Sequence, residues 1–148
     1  MLRICLKYSG MTENNTLADK SIAFSIRIVK CYNFLANEKK EYVMSKQIFR
    51  SGTSVGANIH EAIQGQSRAD FINKMSIALK EASETSYWLI LLHRTSFLED
   101  KLYLSLKNDI DEIIRILIST IKTTKKNDPE DRIQLQQHTI TGEKDNSQ

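Results

Sequence analysis

Proline occurs once in this chain, at Pro129, and glycine only at positions 10, 52, 56, 65 and 142. A fold of many short strands needs a turn signal every few residues, and this chain does not supply them. What remains is a set of long, uninterrupted helices. A chain of 148 residues suits one domain and can bury a core without disulfide or metal staples.

Apolar periodicity draws four helices. The first is predicted from about Leu17 to Ala36, with Thr16 as N-cap and Asp19 three residues on, a capping-box pattern. It carries two apolar stripes, one through Ala18, Ile22, Ser25, Val29, Tyr32 and Ala36, the other through Leu17, Phe24, Ile28, Cys31 and Leu35. The second is predicted from about Lys39 to Gln64, with Tyr42, Phe49, Gly52, Gly56, Ile59 and Ile63 on one stripe. Two mid-helix glycines cost about 1 kcal/mol each against alanine. Close approach of a neighbouring helix is the expected compensation, and the helix is expected to run unbroken through Arg50–Asn58. Gly65 fits a helix end and Ser67, with Asp70 at N3, fits the next N-cap. The third helix then runs to about Arg94 on the face Phe71, Met75, Ala78, Ala82, Leu89 and Leu92. The fourth starts near Leu98–Asp100 and ends near Thr124, with Tyr103, Leu106, Ile110, Ile113, Leu117 and Ile121 inward.

Short connections between helices of similar length predict an all-α, up-down-up-down antiparallel four-helix bundle over residues 16–126. Residues 1–15 are expected to be a flexible N-terminal extension. Met11 opens a more ordinary beginning, so residues 1–10 read as an upstream extension or a misplaced start. Residues 127–148 are polar and expected to be a disordered tail. Helices one and four carry more apolar surface than one core face needs. That excess predicts an oligomer, although a wide core stripe would look similar.

Few chemistries are open to these residues. Gly52-Thr53-Ser54-Val55-Gly56 lacks the GK[ST] ending of a phosphate loop, and no strand precedes it. His60 and His93 lack the Glu three residues before them that a di-metal bundle requires. Cys5 and Cys31 form no CxxC pair, which fits a reducing, cytoplasmic location. No apolar run reaches 18 residues, so no membrane partner is expected. No cofactor, no metal and no catalytic residue are expected.

Glu81 and Glu84 stand one turn apart on the third helix. An antiparallel turn at 65–66 sets Arg50 opposite Glu81, which predicts a charge-assisted pair. Arg50, Glu81 and Glu84 are read as a structural polar network that sets register, in preference to a paired-carboxylate acid/base site. Lysines and arginines fall into three sets: Lys20, Arg27 and Lys30; Lys39, Lys40 and Lys46; Lys122, Lys125 and Lys126. A net charge of +3 is a modest basic bias, but a ring would multiply a small patch into a large positive surface. Arg27, Lys30 and Lys46 are the expected phosphate contacts.

One long ordered motif remains. Leu17-Ala18-Asp19-Lys20-Ser21, Arg50-Ser51-Gly52-Thr53-Ser54-Val55-Gly56-Ala57-Asn58, Glu61-Ala62, Asp70-Phe71, Ile77 through Ala82, Glu84-Thr85 and Tyr87-Trp88-Leu89 resemble the bacterial four helix bundle proteins encoded in intervening sequences of 23S ribosomal RNA genes. The resemblance covers about residues 16–122. It is also shared by the accessory variability determinant of diversity-generating retroelements. It implies a homopentamer, nucleic-acid binding (RNA or DNA) and a scaffold role rather than catalysis. For the retroelement branch it further implies a reverse transcriptase partner.

Overall fold

The computed structural model describes residues 16–126. The expected extension over 1–15 and tail over 127–148 lie outside the described residues. Four helices and no strand occupy this span: α1 (Leu17–Asn37), α2 (Met44–Ile63), α3 (Arg68–Arg94) and α4 (Asp100–Lys126). They form a four-helix bundle in which each helix packs on its neighbour in sequence, and α1 closes on α4.

Local chemistry accounts for the ends. Thr16 Oγ1 accepts the Asp19 N–H at 3.2 Å, and the Asp19 carboxylate accepts the Thr16 N–H in return. Ser67 Oγ accepts the Asp70 N–H at 3.1 Å. The start of α2 differs from the predicted Lys39. The chain turns at Lys40, whose φ is 53°, in the left-handed region that most residues avoid. Glu41 then folds its carboxylate over the helix start, accepting N–H groups of Val43 at 3.0 Å, Met44 at 2.9 Å and Ser45 at 2.6 Å. Burial opposes that charge, but the hydrogen bonds from Met44, Ser45 and Val43 outweigh it and hold the Glu41 carboxyl below its ordinary pKa.

The core runs the length of the bundle. Phe24, Ile28 and Leu35 of α1 meet Ile48, Val55 and Ile59 of α2, Leu89 and Leu92 of α3, and Ile110 and Leu117 of α4. Of the two α1 stripes, the one through Phe24 and Ile28 is buried, while the other lies half-exposed, with Val29 at 39% exposure. The α2 stripe is rotated from its predicted course. Ser45, Ile48, Ser51, Val55, Ile59 and Ala62 are buried beside Gly52 and Gly56, whereas Tyr42, Phe49 and Ile63 are exposed.

Both mid-helix glycines sit inside an unbroken α2 and face α1. A Cβ on Gly52 would lie 2.9 Å from Ile28, and one on Gly56 would lie 3.0 Å from Ser25 Oγ. Close approach of the two helices therefore explains their presence. Deeper in, the Thr85 hydroxyl donates to the Glu81 carbonyl at 2.7 Å and can accept the Ser51 hydroxyl, whose Oγ lies 2.9 Å away. This ties α2 to α3 through two fully buried hydroxyls whose polarity is thereby satisfied.

Candidate nucleic-acid interface

Phosphate recognition without base reading requires cations that the protein does not already neutralise. Most of the bundle's ion pairs lie between helices. Lys20 of α1 meets Glu112 of α4 at 2.9 Å. Lys74 of α3 pairs with Glu61 of α2, and Lys107 pairs with Asp111 within α4.

Arg27 belongs to this structural set. Its guanidinium pairs with Asp109 and donates to Ser105 Oγ at 2.7 Å, joining α1 to α4. The charge expected to meet phosphate is thus engaged by α4 in a partly exposed pair, Arg27 being 33% and Asp109 39% exposed. Lys30 and Lys46 are placed otherwise. Both are exposed, and neither forms an ion pair among the described residues.

Antiparallel topology gathers further cations near Lys46. The C-termini of α1 and α3 and the N-termini of α2 and α4 share one end of the bundle. Lys39 and Lys40 in the first connection, Arg94 at the end of α3 and Lys101 at the start of α4 therefore lie at that end. Lys39 Nζ sits 5.5 Å from the Phe34 ring centroid, a cation–π contact that leaves its charge available. Glu38, Glu41, Glu99 and Asp100 also lie at that end, so its excess of positive charge is small, and two of these four carboxylates are engaged. Glu41 caps α2, and Asp100 lies 2.7 Å from the His93 ring, which stacks on Tyr103.

Arg50, Glu81 and Glu84 meet on the outside of the α2–α3 seam. Arg50 Nη2 reaches Glu84 Oε1 at 2.5 Å, whereas the guanidinium approaches Glu81 Oε1 only to 3.8 Å. Trp88 Nε1 also donates to Glu84, at 3.2 Å. That bond, with the Arg50 guanidinium and against the opposing effect of burial, holds the Glu84 carboxyl below its ordinary pKa. Glu81 has one carboxylate oxygen buried without a hydrogen-bond partner among the described residues. Arg50's main partner lies about one turn beyond the position that a symmetric turn at 65–66 gives. The Ser51–Thr85 and Glu61–Lys74 contacts carry the same stagger, so the first turn of α3 projects past the end of α2.

Cys31 takes no part in either cluster. Burial pushes its thiol up to about 11, against a weaker opposing pull from Arg27, which marks it as inert packing. No described helix is long and apolar enough to cross a membrane.

A second surface takes shape on the other side of α1 and α2. Ile26 and Val29 of α1, Phe49 and Ile63 of α2, and Tyr42 and Val43 between them are all exposed. They lie along the outer side of the α1–α2 pair, where Tyr32 and Phe49 have ring centroids 5.0 Å apart. The half-exposed stripe of α1 is part of this band, and its excess over the core is the sequence signal for it.

The family of 23S rRNA-intervening sequence proteins matches residues 13–119. Among solved structures, a protein of unknown function from the S23 ribosomal protein family of Bacteroides thetaiotaomicron VPI-5482 is 63% identical, with a TM-score of 0.72. That match covers 72% of this chain and 99% of the other. No curated protein matches the chain.

Proposed function

We propose a function from one premise: this chain belongs to the 23S rRNA-intervening sequence protein family. It acts as a non-enzymatic, oligomeric scaffold in the cytoplasm that binds RNA or DNA through phosphate contacts. Its protomers associate through the apolar outer band of α1 and α2, and they close into a homopentameric ring. The ring repeats the cationic end of each bundle around one rim.

Support comes chiefly from Lys30 and Lys46, which are exposed and have no acidic partner among the described residues. Lys39, Lys40, Arg94 and Lys101 reinforce the end where Lys46 stands. Residues 16–126 hold seventeen lysines and arginines against twelve acidic residues, so the bundle is more basic than the whole chain. A filter-binding titration over a salt series tests the reading. Affinity should fall steeply with salt and depend little on sequence. Lys30→Gln with Lys46→Gln should flatten the salt slope by roughly one unit for each lysine replaced. Arg27→Ala should lower stability instead. Absence of affinity at low salt would remove the nucleic-acid role.

The same apolar band favours a second reading, in which it seats a different protein, such as a retroelement reverse transcriptase. Sedimentation with and without RNA separates the two. A ring unmoved by RNA but shifted by a reverse transcriptase would favour the second.

A further inference from the structure

We propose that the acidic segment following α4, residues 128–135, folds back onto the groove between α3 and α4 of its own protomer. This groove has a volume of about 390 Å³ and is lined by Leu79, Ile118, Ile121, Lys122, Lys125 and Lys126. Its floor is apolar: Leu79 and Ile121 are half-buried, and Ile118 is 51% exposed. Its rim is three lysines that form no ion pair among the described residues. A fitting occupant therefore combines apolar side chains with adjacent negative charge.

The chain supplies that combination where the groove ends. After Lys126 it continues Asn127-Asp128-Pro129-Glu130-Asp131-Arg132-Ile133-Gln134-Leu135. An Asp-Pro step disfavours helix at the aspartate and favours a turn, which is compatible with a segment that folds back. Asp128, Glu130 and Asp131 bring three carboxylates to the lysine rim. Ile133 and Leu135, two residues apart, share one side of an extended chain. Reach is sufficient. Ile118 lies about 12 Å back along α4, while the residues from Lys126 to Ile133 span up to about 24 Å extended.

Long-range charge favours the same occupant. Residues 127–148 hold five acidic residues against two basic ones, opposite in sign to the bundle. A nucleic-acid strand would satisfy the lysines but leave Leu79, Ile118 and Ile121 uncovered. The inference does not depend on nucleic-acid binding. If both hold, the docked segment withholds three lysines from phosphate.

The test is a disulfide trap in the full chain carrying Cys5→Ser, Ile118→Cys and Ile133→Cys. Cys31 is buried and does not compete. Mild oxidation should give a monomer that runs faster on a non-reducing gel and reverts on reduction, and high salt should slow its formation. A Leu104→Cys, Ile133→Cys control, placed on α4 away from the groove, should cross-link several-fold more slowly. No cross-link, equal rates in both pairs, or a disulfide-linked dimer would each overturn the proposal, the last by assigning the groove to a second copy. As an independent measure, deleting residues 127–148 should raise the fluorescence of a dye that binds apolar surface, and unchanged fluorescence would count against docking.

Discussion

Gly52 and Ile28 approach so closely that a Cβ on the glycine would lie 2.9 Å from both Cγ1 and Cγ2 of the isoleucine. Ile28 is β-branched and fully buried, so it has no room to yield. Overpacking of this kind costs about 1–3 kcal/mol, against about 1 kcal/mol of helix propensity gained by replacing a glycine with alanine. Gly52→Ala should therefore lower Tm. Gly56→Ala is the contrasting case. Its Cβ would meet Ser25 Oγ at 3.0 Å, and a serine hydroxyl can rotate away. That variant should match or exceed the parent in a thermal melt. Equal losses at both positions would contradict this account of the α1–α2 contact.

Glu41 should give the bundle a pH-dependent component of stability. Its carboxyl is held below the ordinary value of 4.5 by backbone N–H groups at the start of α2. A depressed folded pKa contributes stability that is fully present above the unfolded value. It is lost as pH falls through the folded one. Glu41→Gln should reduce stability at neutral pH by about 1 kcal/mol, the scale of removing a helix cap. It should also flatten the fall in Tm below that ordinary value. Parallel pH–Tm curves for parent and variant would exclude the cap as its source.

Arg50 should couple more strongly to Glu84 than to Glu81. The separations are 2.5 Å and 3.8 Å, and the arginine side chain is 55% exposed. Coupling energies at exposed pairs run about 0.2–1 kcal/mol. Double-mutant cycles with Arg50→Ala should place the Glu84 value toward the upper end of that range and the Glu81 value near zero. Charge reversal at Arg50 and Glu84 together should partly rescue either single reversal in a melt.

Ile26 is 51% exposed and lies on the band proposed to join protomers. Ile26→Glu should change Tm little when measured on the dissociated chain, because the core does not use this side chain. In sedimentation it should shift the population toward monomer. An unaltered sedimentation coefficient would move the interface elsewhere.

Much of this architecture is legible in the sequence because its signals are local. Thr16 with Asp19 and Ser67 with Asp70 mark two helix starts through side chains three residues apart. The start of α2 carries no such mark. Its turn uses Lys40 at positive φ where a glycine would signal it, and its cap is Glu41, a residue outside the usual capping set. The α2 stripe misleads because Phe49 and Ile63 are apolar yet face the outer band, and hydrophobicity does not distinguish a core from an interface. The network shows the same limit. Residue type points to Arg50 and the two glutamates, but the choice of Glu84 depends on stagger, which buried contacts such as Ser51–Thr85 set and the length of a turn does not. Arg27 has the chemistry of a phosphate contact, and only the fold reveals its partners, because Asp109 and Ser105 lie some eighty residues away in sequence.

Glycine and serine at the α1–α2 contact also decide what a neighbour encounters. With so little side-chain bulk between them, the two helices have almost no slack at Gly52 and Gly56, so a shift in either one is passed directly to the other and to the exposed residues both carry.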